Sequence, residues 1–145
     1  MDLGKTNNPM YWDSIKMISK TARIEFHHPV KKASLIAKEI QTQEGIDSLF
    51  NFVGELSSDT TCINNMAYNH FGQIDFFTDS THKHRVAKMH FVLEGNCVGL
   101  YLETDNSLAR YNIKPQGNAF LTQLYNLHKS WLGMLPEFNL NNADN

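Results

Sequence analysis

The chain has 145 residues, 13 Lys and Arg against 15 Asp and Glu, and 41% apolar side chains. That is the length of one domain, able to bury roughly two-thirds of its unfolded surface without metal or disulfide staples, and too short for a separate cofactor domain. A net charge of −2 argues against nucleic-acid binding by bulk electrostatics, and no apolar run approaches the roughly 20 residues that span a bilayer.

The first residues, Met1-Asp2-Leu3-Gly4-Lys5-Thr6-Asn7-Asn8, lack the basic start and apolar stretch of a secretory signal. Two cysteines, Cys62 and Cys97, fall far below a disulfide scaffold. The expectation is a cytoplasmic chain with free thiols, a secreted mature form being the alternative.

Asn8-Pro9 can cap and open a helix over about residues 9–19, with Tyr11, Ile15 and Ile18 at helical spacing. From Thr21 the period becomes two. Ala22, Ile24 and Phe26 alternate with polar residues up to Pro29, and residues 34–40 form the return arm of a hairpin. Thr42 then caps a helix over about 43–55, whose stripe is Ile46, Leu49, Phe50 and Val53. Residues 57–71 read as a loop with a short strand near Cys62-Ile63.

Residues 72–113 carry the clearest pattern, four strands at 73–78, 85–93, 97–104 and 107–113. Gly95-Asn96 and Asp105-Asn106 are two-residue hairpin turns that set register. Leu93, Phe91 and Met89 then face Val98, Leu100 and Leu102, which face Ile113, Tyr111 and Ala109 in turn. Parity places Ile74 against Met89 and Phe76 against Ala87. Lys114-Pro115 opens a last helix, about 116–132, with Leu121, Leu124, His128 and Trp131 on one stripe and Gly133 as its stop. Residues 134–145 read as a frayed tail. The fold expected is α+β in one domain: an antiparallel sheet with a four-stranded meander, covered on one face by the two later helices, plus the N-terminal helix and hairpin.

The opposite sheet face sets Lys88 between Asp75 and Glu103, and Tyr101 between His90 and Arg110. It also carries Val92, Leu108 and a facing pair, Phe77 and Val86. So many apolar groups on one face call for a cover, which could be the N-terminal hairpin or helix, a second copy or another partner. The candidate binding surface is therefore Phe77, Val86, Lys88, His90, Tyr101 and Arg110.

Chemistry is harder to find. No phosphate-binding loop, nucleotide fingerprint, serine elbow or zinc-protease motif occurs. His82 and His84 are weak metal candidates, being close together but in need of further ligands; His84 and His90 lie about 20 Å apart along a strand and cannot share an ion. Asp75 and Glu103 flank a lysine, which makes a neutralised ladder a simpler reading than an acid–base pair. No cofactor is expected. The functional expectation is a non-enzymatic domain that binds a protein partner or itself, in the size and charge range of an immunity-type protein. The alternative is a small-ligand or hydrolytic domain with a cavity lined by Tyr111, Phe91, Met89, Phe76 and Trp131.

Overall fold

A computed structural model describes residues 12–28, 31–64, 71–105 and 107–129. Its elements are α1 (Trp12–Ile18), β1 (Thr21–His27), β2 (Ser34–Ile40), α2 (Gln43–Phe50), β3 (Val53–Leu56), α3 (Thr61–Asn64), β4 (Gly72–Phe77), β5 (Arg85–Val92), β6 (Gly99–Glu103), β7 (Leu108–Ile113) and α4 (Pro115–Leu127). The strands form one open antiparallel sheet of seven, in the order β2-β1-β4-β5-β6-β7-β3.

The meander has the register its turns require. Phe91 pairs with Leu100 and Met89 with Leu102, Leu100 with Tyr111 and Leu102 with Ala109, and Ile74 with Met89 and Phe76 with Ala87. Gly95 holds a φ of +98° in the first turn, a conformation that strains any L side chain. The expected pairs Leu93–Val98 and Val98–Ile113 fall outside the ladder, because β5 ends at Val92 and β6 starts at Gly99. The N-terminal hairpin extends this sheet: Ala22, Ile24 and Phe26 lie opposite Phe76, Ile74 and Gly72. Gly72 is needed there, since a Cβ would come within 2.5 Å of both the Glu25 carbonyl oxygen and the Phe91 ring.

Helices α1, α2 and α4 cover one face. Ile46, Leu49 and Phe50 of α2 and Leu121 and Leu124 of α4 join Ile24, Phe26, Ile74, Phe76, Met89, Phe91, Leu100 and Leu102 in one buried cluster. Trp12 reaches it from α1, its ring 5.7 Å from Phe50 and 5.5 Å from Tyr111. Burial on this scale contributes roughly 1.5–3 kcal/mol per large side chain, which is what orders the short helices.

Several expectations are corrected. The second helix stops at Phe50 rather than near 55: the Asn51 N–H bonds back to Asp47, and Val53 opens a strand paired with Ile113. Residues 61–64 form a helical turn, not a strand. The last helix runs Pro115–Leu127, and Trp131, Gly133 and the tail 134–145 lie outside the described residues, as do Asn8, Pro9 and Tyr11. Cys62 and Cys97 are not free thiols but a disulfide. Phe77 does not face Val86; a bulge pairs Phe77 with Arg85, and Val86 packs against the main core cluster.

Candidate functional site

The face of the sheet opposite α1, α2 and α4 divides into two unlike halves. Across β2, β1, β4, β5 and β6 runs a row of alternating charge: Glu39 opposite Arg23, Arg23 opposite Asp75, Asp75 opposite Lys88, and Lys88 opposite Glu103. Antiparallel pairing puts such residues about 4.5–5.5 Å apart, where opposite charges each contribute a few tenths of a kcal/mol. Asp75 is the anchor. Only 4% of it is exposed, and its carboxylate accepts from Gln73 Nε2 at 3.0 and 3.1 Å and from Arg85 at 3.4 Å. A carboxylate that is buried yet so fully paired fixes its neighbours more than it adds stability. Arg23, Glu25, Gln73, Lys88 and Glu103 remain half-buried beside it, and Ile36 on the rim is 49% exposed.

The next row is Glu25, Gln73, His90, Tyr101 and Arg110. His90 is 3% exposed and its Nε2 lies 2.9 Å from Glu103 Oε1. Burial lowers its pKa, against the opposing pull of Glu103, so the neutral ring is favoured. Tyr101 is fully buried, which pushes its phenol pKa up. Its hydroxyl donates to the Cys97 carbonyl.

Among the described residues, what lies over Tyr101 is α3. Cys62 and Ile63 form a second apolar cluster with Val92, Tyr101 and Leu108, and Cys97 packs against it. The cover is therefore neither the N-terminal hairpin nor α1, but the segment 57–64 between β3 and β4. Arg110 holds it down. Its guanidinium lies 5.7 Å from the Tyr101 ring centroid, donates to the Val98 carbonyl at 3.0 Å and comes within 3.8 Å of Asp59. Asp59 in turn accepts the Thr61 N–H at 2.9 Å, capping α3, and this bond leads the effects that lower its pKa.

The opposite corner is closed by the β4–β5 loop. The His82 ring meets Phe77 edge-on at 4.8 Å and its Nε2 lies 4.0 Å from Glu39, while Arg23 sits 5.6 Å over the same phenyl ring. Asp79 organises the loop by accepting from the Thr81 hydroxyl and from the His84 and Lys83 N–H groups, and these bonds, the Thr81 one foremost, hold its pKa at about 2. His84 pairs with Asp79 at 3.7 Å. The two metal candidates thus serve different partners, and no group of three His, Cys, Asp or Glu side chains among the described residues is set to hold an ion.

Of the six residues nominated for a surface, then, Phe77, His90 and Tyr101 are buried, Val86 belongs to the core, and Arg110 is occupied by α3; Lys88 stays in the open row. Of the side chains expected to line a cavity, Phe76, Met89 and Phe91 are fully buried and Tyr111 is 7% exposed. Grooves lie at the periphery. One of about 390 Å³ runs between α2 and α4 over Ile40, Leu49, Phe52 and Phe120, and a polar one of about 280 Å³ borders Arg85, Lys88 and Glu103. Arg23 and Glu39 were missed because no tight turn links β1 to β4, so the register of the N-terminal hairpin on the meander could not be counted along the chain.

Comparison with protein-family models, with curated proteins and with solved structures gave no match to this chain.

Proposed function

We propose that the chain is a non-catalytic binding domain that works in an oxidising compartment and docks a protein partner on the polar strip formed by Arg23, Glu25, Gln73, Lys88 and Glu103. The carrying observation is the row of alternating charge, half-buried beside an Asp75 that is itself paired with Gln73 and Arg85, while the apolar half of the same face is roofed. Charges arranged in this way contribute specificity and association rate more than affinity. The disulfide supports the compartment, since such bonds persist where the surroundings are oxidising, and the cytoplasmic expectation gives way to that reading.

The fitting partner presents the opposite alternation at the roughly 4.8 Å spacing of neighbouring strands.

Cross-linking capture from the producing cells tests this, comparing wild type with Lys88→Gln and Arg23→Gln. Neutralisation is preferred to reversal because it leaves no like-charged neighbours across the ladder. Each variant should keep the wild-type melting curve within a few degrees and lose about tenfold of the partner recovered, in a salt-sensitive manner. Equal recovery by both variants would rule the strip out.

A further inference from the structure

We infer that the segment 57–64 is a redox-latched lid: reduction of Cys62–Cys97 releases α3 and uncovers an apolar patch of Val92, Tyr101 and Leu108, while the sheet and its main core stay folded. The observation behind this is the separation of the two apolar clusters. Cys62, Ile63, Val92, Tyr101 and Leu108 form one, and the core under α1, α2 and α4 forms the other, with the sheet between them. Loss of the first removes no contact from within the second.

The lid has little helical stability of its own. α3 is four residues long, far below the length at which a helix sustains itself. Its ties include the buried Ile63, the Asp59–Arg110 pair at 3.8 Å, in which the Asp59 side chain is 59% exposed, and the bond from the Ser57 N–H to the Arg110 carbonyl at 2.8 Å. An ion pair so exposed adds little by itself. The disulfide closes 35 residues of chain separation and fastens the lid to the β5–β6 connection directly beside the patch. Low local stability next to a stable sheet is the condition for opening in parts rather than all at once.

The chemistry needs a dithiol reductant. Cys97 is half-buried and Cys62 is 5% exposed, so the incoming thiolate attacks the Cys97 sulfur. A mixed disulfide forms there, the Cys62–Cys97 bond breaks, and Cys62 leaves as a thiolate that takes a proton from water. The second thiol of the reductant then displaces Cys97 and closes its own disulfide. The protein gains two electrons and two protons, and the reductant loses them.

Hydrogen exchange on the intact folded chain, before and after dithiothreitol, tests the lid without requiring a variant to fold. After reduction the amides of Ser57 and Asn64 should exchange on the order of a hundredfold faster. Those of β4 and β5 should keep their protection, and an apolar dye should become fluorescent on the protein. Reoxidation should reverse the faster exchange and the dye fluorescence, and a Cys62→Ser, Cys97→Ser chain should match the reduced form. Retained protection at Ser57 and Asn64 would show that the disulfide is not the latch. Joint loss across β4 and β5 would show that it staples the whole fold. Local exchange without dye binding would mean that the patch stays covered, which equally overturns the inference.

Discussion

His90 shows how burial and pairing compete at a single side chain. Its hydrogen bond to Glu103 favours the imidazolium and its burial favours the neutral ring; burial is the larger effect, so the folded pKa lies below 6.5. His28, also buried, is shifted the same way, by desolvation and the charge of Lys31. Below pH 6.5 the unfolded chain therefore binds more protons than the folded one, and stability falls as the pH drops from there toward the folded values. Urea midpoints at pH 7.5 and 5.5 should show the loss in wild type and a smaller one in His90→Gln. The depressed carboxylates of Asp59 and Asp79 act only below about pH 4, outside this interval. A midpoint that rises on acidification would mean that the Glu103 bond outweighs burial. At this scale the sequence was legible wherever two tight turns counted residues into place, as with Lys88 between Asp75 and Glu103. It was not legible for burial: nothing near Tyr101 in the chain says that Ile63 will lie over it.

α2 and α3 mark the boundary between local and distant causes. The start of α2 is local. Thr42 has extended backbone angles, and its hydroxyl accepts the Gly45 N–H at 3.1 Å, ahead of a stripe of Ile46, Leu49 and Phe50. Thr42→Ala should accordingly lower stability by about 1 kcal/mol in urea titration, and Thr42→Asn should be close to neutral. A loss below a few tenths of a kcal/mol would show that tertiary contacts of Ile46 and Phe50 alone hold the first turn. The end of α2 is not local. Val53 continues the helical stripe by arithmetic, yet β7 offers it a ladder through Ile113 and the Lys114 N–H donates to the Phe52 carbonyl at 2.8 Å, which draws the chain into β3. α3 is more extreme. A helix of this length next to Ser-Ser-Asp-Thr has no periodicity to detect, and its place is set by Asp59, Arg110 and Cys97.

At the scale of the whole molecule, an open seven-stranded sheet must solve the problem of its edges, where unpaired backbone groups invite another strand. β3 does so by being four residues long and irregularly paired between Val53 and Leu56. β2 is longer and relies on two devices. Its register shifts between Ile24 and Glu25, so that Ala37 is an extra residue that bends the strand, and exposed Lys38 stands opposite fully buried Ile24, putting a charge where the inner face meets the rim. A strand added to β2 would have to bring that ammonium group into its own apolar face. This protection of both edges makes a monomer the expected state in sedimentation velocity at low and high salt. Lys38→Thr should introduce concentration-dependent self-association. Threonine is the informative choice, because it favours strand pairing and removes the charge while keeping a hydroxyl at the groove over Ile40 and Leu49, which Lys38 itself lines. A variant that stays monomeric at the highest attainable concentration would assign edge protection to the Ala37 bulge alone, and a wild-type dimer cross-linked through β2 would show that the two devices do not protect the edge.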